Sequence, residues 1–115
     1  MKLVADAVIA QEKLRDYLLT PRSIGDKSQF LALAGYNQDN WHRLEQDLRA
    51  QVLTCEAQLQ ESTPYGELYE IRGTLIGPNG TVLWVVTIWM IEHVTGQTKF
   101  ITLFPDQGLR KGGQL

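Results

Sequence analysis

One cysteine stands in a chain of 115 residues, so Cys55 has no partner within it and an internal disulfide is excluded. That rules out the disulfide-stapled secreted scaffold and makes a reducing, cytoplasmic setting the expectation. Histidine is nearly as scarce. His42 and His93 lie far apart, without a cysteine or acidic neighbour at ligand spacing, so neither a metal site nor a cofactor is expected. No apolar run approaches membrane-spanning length, and Met1-Lys2-Leu3-Val4-Ala5-Asp6 places an acid where a signal peptide needs its apolar core. No membrane partner is therefore expected. An excess of positive charge is lacking too: eleven Lys and Arg against thirteen Asp and Glu leave a formal charge of -2, which offers nucleic acid no global attraction. No internal repeat or low-complexity tract is present.

What the chain does have is a 43% hydrophobic composition at a length that suits one domain, 1–115, able to bury roughly two thirds of its unfolded surface. Its first half carries helical spacing. Leu14, Tyr17 and Leu18 predict a short amphipathic helix over Gln11 to Leu19, stopped near Thr20 by Pro21. Asp26 can cap a second helix that runs to about Ala34, with Phe30, Leu31 and Ala34 inward and Gly35 as its stop. Asn37 or Asp39 can cap a third, over Asn40 to Leu53, whose inward stripe is Trp41, Leu44, Leu48 and Val52. Ala7-Val8-Ile9 can add a short edge strand ahead of them.

The period then switches from 3.6 to 2, as expected where helices give way to a sheet. Cys55, Ala57 and Leu59 alternate with polar residues as a one-faced strand. Leu68 to Ile76, Thr81 to Glu92 and Lys99 to Phe104 follow, joined by Gly77-Pro78-Asn79-Gly80 and Val94-Thr95-Gly96 and ended by Pro105. The fold class is α+β: about three helices on one face of a four-stranded antiparallel meander, with a Gly-rich tail over 107–115 expected to fray.

A two-residue turn at either Asn79-Gly80 or Pro78-Asn79 sets Thr87 opposite Arg72 or opposite Glu70. In both registers Glu70, Arg72, Thr87 and Trp89 share a face. The other face, carrying Tyr69, Ile71, Leu75, Val82, Trp84, Val86, Ile88 and Met90, becomes the bed for the helices. Thr102 joins the polar group if the second turn has two residues and leaves it if the turn has three. Tyr65, after Pro64, can orient a ligand at the sheet edge or cover the core. Lys27, near the start of the second helix, can hold an anion. Cys55 reads as a small core residue rather than a nucleophile.

Tyr17-Leu18-Leu19-Thr20-Pro21, Gly25-Asp26-Lys27, Gly35-Tyr36, Asn40-Trp41, Thr63-Pro64-Tyr65-Gly66, Gly77-Pro78-Asn79-Gly80, Thr87-Ile88-Trp89 and Phe100-Ile101-Thr102 together resemble a bacterial family of small domains of unknown function. The resemblance covers nearly the whole chain and implies no activity. At the level of fold alone, helices followed by a four-stranded antiparallel sheet are similar to the barnase, colicin and RelE-like ribonuclease-toxin group. That similarity implies metal-independent RNA cleavage with Lys27, Arg72 and Thr87 as the catalytic set and Glu70 or His93 completing it. Two expectations stand side by side. One is a non-catalytic module that binds a protein partner or a second copy of itself through the mixed sheet face or an exposed edge, with Glu70, Trp89, Tyr65 and Thr102 as binding residues. The other is the ribonuclease relative, active or degenerate, with RNA as its substrate.

Overall fold

The structure, a computed structural model, describes residues 1–22 and 27–107. Helices fill the first half and strands the second. Helix α1, Gln11–Lys13, runs on as a π-helical turn, Leu14–Leu18; α2 is Ser28–Ala32; α3, Trp41–Asp47, continues as a second π turn, Leu48–Val52. Asp26, the expected cap of α2, lies outside the described residues, as do residues 108–115 of the expected tail. Asn37 is the cap before α3. Its side-chain oxygen accepts from the N–H groups of Asp39 and Asn40, while the Asn40 side chain accepts from the Asn37 N–H, a reciprocal capping box on the 3₁₀ turn Gln38–Asn40. Leu44, Leu48 and Val52 then bury completely in one stripe, against Leu14, Leu18 and Leu31 of the other two helices.

Strands β1 (Gln58–Ser62), β2 (Gly66–Ile76), β3 (Val82–Glu92) and β4 (Thr98–Pro105) form one antiparallel sheet in the order β1-β2-β3-β4. The first strand starts at Gln58, later than the alternation from Cys55 predicts. The Cys55 thiol instead donates to the Gln51 carbonyl (3.4 Å) at the end of α3, and Leu59 is exposed on this edge strand. At the opposite edge the expected Ala7-Val8-Ile9 strand is a single parallel bridge. There the Val8 N–H donates to the Thr98 carbonyl (2.7 Å), and the Val8 carbonyl accepts from the Phe100 N–H (2.8 Å). Among the described residues, no helix is long and apolar enough to cross a membrane.

The first hairpin decides what each face of the sheet carries. Gly77 donates to the Thr81 carbonyl (3.1 Å) and Gly80 to the Gly77 carbonyl (3.0 Å), so Pro78, Asn79 and Gly80 all lie inside the loop, with Gly80 at φ +86°. An odd loop shifts the register by one from either two-residue turn: Thr87 faces Ile71 and Arg72 faces Val86. Because successive side chains point to opposite sides, that single step turns over the whole of β3. Leu83, Val85, Thr87 and Trp89 therefore join Ile71 and Leu75 beneath the helices, while Val82, Trp84, Val86 and Ile88 share the other side with Glu70 and Arg72. The face expected for β2 is observed, and the face expected for β3 is reversed. Trp89 has no exposed surface and Trp84 is 43% exposed, so the two exchange the places that the sequence pattern assigned them.

Candidate functional site

On the side of the sheet turned away from the helices, Ile76, Val82, Trp84 and Phe104 all expose apolar surface around Val86, which is itself buried. A charged cluster crosses the same face. Arg72 Nε donates to Glu70 Oε1 (2.6 Å), a same-side neighbour two residues back on β2, and an Arg72 terminal nitrogen donates to Asp106 Oδ1 (2.8 Å). Asp106 is positioned by its own N–H, which extends the β4 ladder to the Trp84 carbonyl (2.9 Å). The Gln60 side chain donates to the second Glu70 oxygen. Both carboxylates are buried and the guanidinium is half exposed, so Arg72 serves as the solvent-facing lid of two buried acids. The hydrogen bonds that Arg72 donates to Glu70, then Asp106, hold it above its ordinary pKa. The hollow beside it, lined by Glu56, Gln58, Glu70 and Arg72, measures ≈ 220 Å³, below the range of small-molecule pockets.

Thr87 lies in the core. Its hydroxyl donates to the Ile71 carbonyl (3.1 Å) and accepts from Trp89 Nε1–H (2.7 Å), which satisfies both buried polar groups. Trp89 packs edge-to-face on Phe100, with ring centroids 5.2 Å apart. The expected sharing of one face by Glu70, Arg72, Thr87 and Trp89 is thus corrected: the odd hairpin loop separates the first two from the last two. Tyr65 is 76% exposed in the β1–β2 turn, where its N–H donates to Thr63 Oγ1 (3.2 Å), so its ring does not cover the core.

Lys27 and Thr102 do come together. Lys27 Nζ donates to Thr102 Oγ1 (2.9 Å) at the β4 edge, and a bulge at Ile101 sets Thr102 opposite Ile88 rather than on the side of Trp89. Lys27, Arg72 and Thr87 consequently occupy three places, the β4 edge, the open face and the core, and line no common cleft.

Two participants are illegible in the sequence pattern. Asp106 follows the strand-ending Pro105 at the border of a stretch read as tail, and nothing local marks its pairing with Arg72. Tyr17, read as one of the apolar residues of its helix, stands on the π turn with the Lys27 ammonium 5.4 Å and the Arg22 guanidinium 4.6 Å from its ring centroid. It borders a cleft of ≈ 610 Å³ between α1 and β4 that Lys13, Lys27, Ile101 and Thr102 also line. The charge of Lys27 acts first, with help from hydrogen bonds to Thr102 and Lys27, to hold the Tyr17 phenol below the usual range against the opposing effect of burial. Among the described residues, no three of His, Cys, Asp and Glu gather as a metal-binding group.

Residues 1–107 match the family model of DUF6883, described as a domain of unknown function. No curated protein and no solved structure matches the chain, so the fold-level likeness to the ribonuclease-toxin group finds no support.

Proposed function

The chain belongs to the DUF6883 family, and from that premise, which brings no activity with it, we propose that the domain is a non-catalytic protein-interaction module using the open face of its sheet. The observation that carries this reading is sidedness. The helices of the first half, among the described residues, pack on one face, and the other leaves Trp84 at 43%, Val82 and Ile76 at 47% and Phe104 at 37% exposure on neighbouring strands. A tryptophan and a phenylalanine left facing water within one apolar patch are the usual anchors of a protein contact. The charged groups of the face state the chemistry of the occupant. Glu70, Arg72 and Asp106 border the apolar patch, so the occupant is a protein surface with an apolar centre and a polar rim that meets these charges.

The test uses the wild type and Trp84→Lys as bait in a lysate of the cell that makes the protein, followed by hydrogen exchange on the reconstituted pair. A partner held by the wild type alone, with added protection at residues 82–86 and 104, is the expected result. Capture of the same proteins by both baits overturns the reading. Sedimentation gives a monomer on this view; a dimer abolished by Trp84→Lys would make the occupant a second copy. Metal-free cleavage of mixed RNA that disappears in Arg72→Ala would replace the module with a ribonuclease.

A further inference from the structure

The cations of this chain are unevenly satisfied. Arg15, Arg43, Arg49, Arg72 and Lys99 each pair with a carboxylate. Among the described residues, Lys2, Lys13, Arg22 and Lys27 have no carboxylate partner. Three of these four converge on one place. Lys13 and Lys27 line the cleft between α1 and β4, and Arg22 lies over the Tyr17 ring at its border. Glu12 is the single carboxylate among the described residues of the lining, so these residues carry a net positive charge on a chain whose formal charge is -2.

The cleft is also shaped. Its ≈ 610 Å³ falls within the range of small-molecule sites, and Ala10, Ile101 and the Tyr17 ring give it an apolar wall. Lys27 spends one N–H on the Thr102 hydroxyl and rests near the Tyr17 and Phe104 rings, 5.4 and 5.9 Å from their centroids. With the Thr102 hydroxyl and the Tyr17 phenol as its partners among the described residues, the ammonium keeps one N–H for a ligand. Both walls depart from regular geometry at the residues that matter: Tyr17 stands on a π turn and Ile101 is the extra residue of a bulge in β4. Such departures re-aim side chains and recur beside functional sites.

We infer that this cleft binds a small organic anion, its carboxylate or phosphate oxygens held by Lys27 and Lys13 and its flat apolar body against Tyr17 and Ile101. The hydroxyls of Thr102 and Tyr17 give the oxyanion further hydrogen-bond partners, and the low-lying Tyr17 phenol reflects the same positive field. The site lies at the β4 edge, beside Phe104 of the open face and apart from the Glu70–Arg72–Asp106 cluster, and its ligand chemistry does not rest on the open-face module.

Amide-resolved NMR titration of the ¹⁵N-labelled chain tests it with four probes: phenyl phosphate, benzoate, neutral benzamide and inorganic phosphate. Phenyl phosphate, benzoate or both are expected to give saturable shifts at residues 10–17, 27 and 101–102. Binding should weaken as salt rises and fall at least about tenfold in Lys27→Met, as expected for a charge-assisted hydrogen bond worth about 1.5 to 3 kcal/mol. The tighter of the two anions identifies the head group. Thr102→Val, which keeps the ammonium, should weaken binding less than Lys27→Met, and the dispersion of each variant's spectrum reports whether it is folded. Equal binding of benzamide, shifts scattered over the surface, saturation by inorganic phosphate elsewhere, or unchanged affinity in a folded Lys27→Met each overturn the assignment.

Discussion

At the scale of single residues, the pairs that matter are polar groups buried together. Arg72 bridges two buried carboxylates, and its removal takes one partner from each, leaving Glu70 with Gln60 among the described residues. Because the guanidinium is half exposed, water replaces part of what is lost, so Arg72→Ala should cost about 1 to 3 kcal/mol rather than the full penalty of a broken interior pair. A urea midpoint indistinguishable from wild type would show that the cluster is solvated. Tyr36 offers a sharper case. Its hydroxyl donates to Asp47 Oδ2 (2.5 Å), itself paired with Arg43 (3.0 Å), and burial followed by that carboxylate pushes the phenol far above its ordinary pKa. An acid whose folded pKa is raised keeps its proton in the native state after the unfolded chain has lost it. Its contribution is therefore complete below about pH 10 and declines as pH climbs beyond. Tyr36→Phe should cost about 1 to 2 kcal/mol at neutral pH. The gap between wild type and variant in denaturation should then narrow above about pH 10; a constant gap would refute the coupling. Tyr17, lowered by Lys27, acts with the opposite sign but is common to both proteins and cancels.

At the scale of elements, the β2–β3 hairpin acts at a distance from the strands it joins. Its tip closes the end of α2: the Asn79 N–H donates to the Ala34 carbonyl (3.2 Å) and the Asn79 side chain to the Leu33 carbonyl (3.0 Å), supplying donors that the helix end lacks. This close approach explains Gly77, where a Cβ would overlap the Ala34 carbonyl and methyl group. Gly77→Ala should therefore cost about 1 to 3 kcal/mol through overpacking. Gly80→Ala meets open space and pays only for its φ of +86°, on the order of 1 to 2 kcal/mol. Amide exchange separates the two: Gly77→Ala should loosen the end of α2, whereas Gly80→Ala should loosen the hairpin alone. Equal loosening of α2 in both would mean that the tip does not hold the helix.

At the scale of the whole molecule, the described residues form two layers, helices on one face of the sheet with its other face open, and the two tryptophans of β3 report its sides. Trp89→Ala should cost about 3 to 5 kcal/mol, the range for emptying a core aromatic position. Trp84→Lys, on the open face, should cost about 1 kcal/mol or less, since much of the ring already faces water and a lysine stem can lie along the same surface. Comparable losses for both in chemical denaturation would mean that the face called open is covered in solution.

Much of this architecture is legible in the chain itself. The helical stripe Leu44, Leu48 and Val52, the Asn37 cap, the stop at Gly35, the strands and their order in a meander, and the class α+β follow from local patterning, because propensity, capping and hydrophobic period act over a few residues. The inward side of β2 is equally readable from its own alternation. What the chain does not reveal is which side of β3 faces the helices, because β3 is apolar on both sides and its orientation depends on whether a hairpin loop holds two residues or three. That count is set where Asn79 and Gly77 dock on the end of α2, a contact between segments more than forty residues apart. The same register places Thr87 in the core and leaves Arg72 to cover Glu70 and Asp106. A β4 bulge brings Thr102 to Lys27, a pairing across 75 positions of sequence. The sequence by itself determined the elements and their order, since those are short-range choices; the faces and the sites were decided by tertiary packing, since a one-residue difference in a loop is almost free locally and reverses every side chain beyond it.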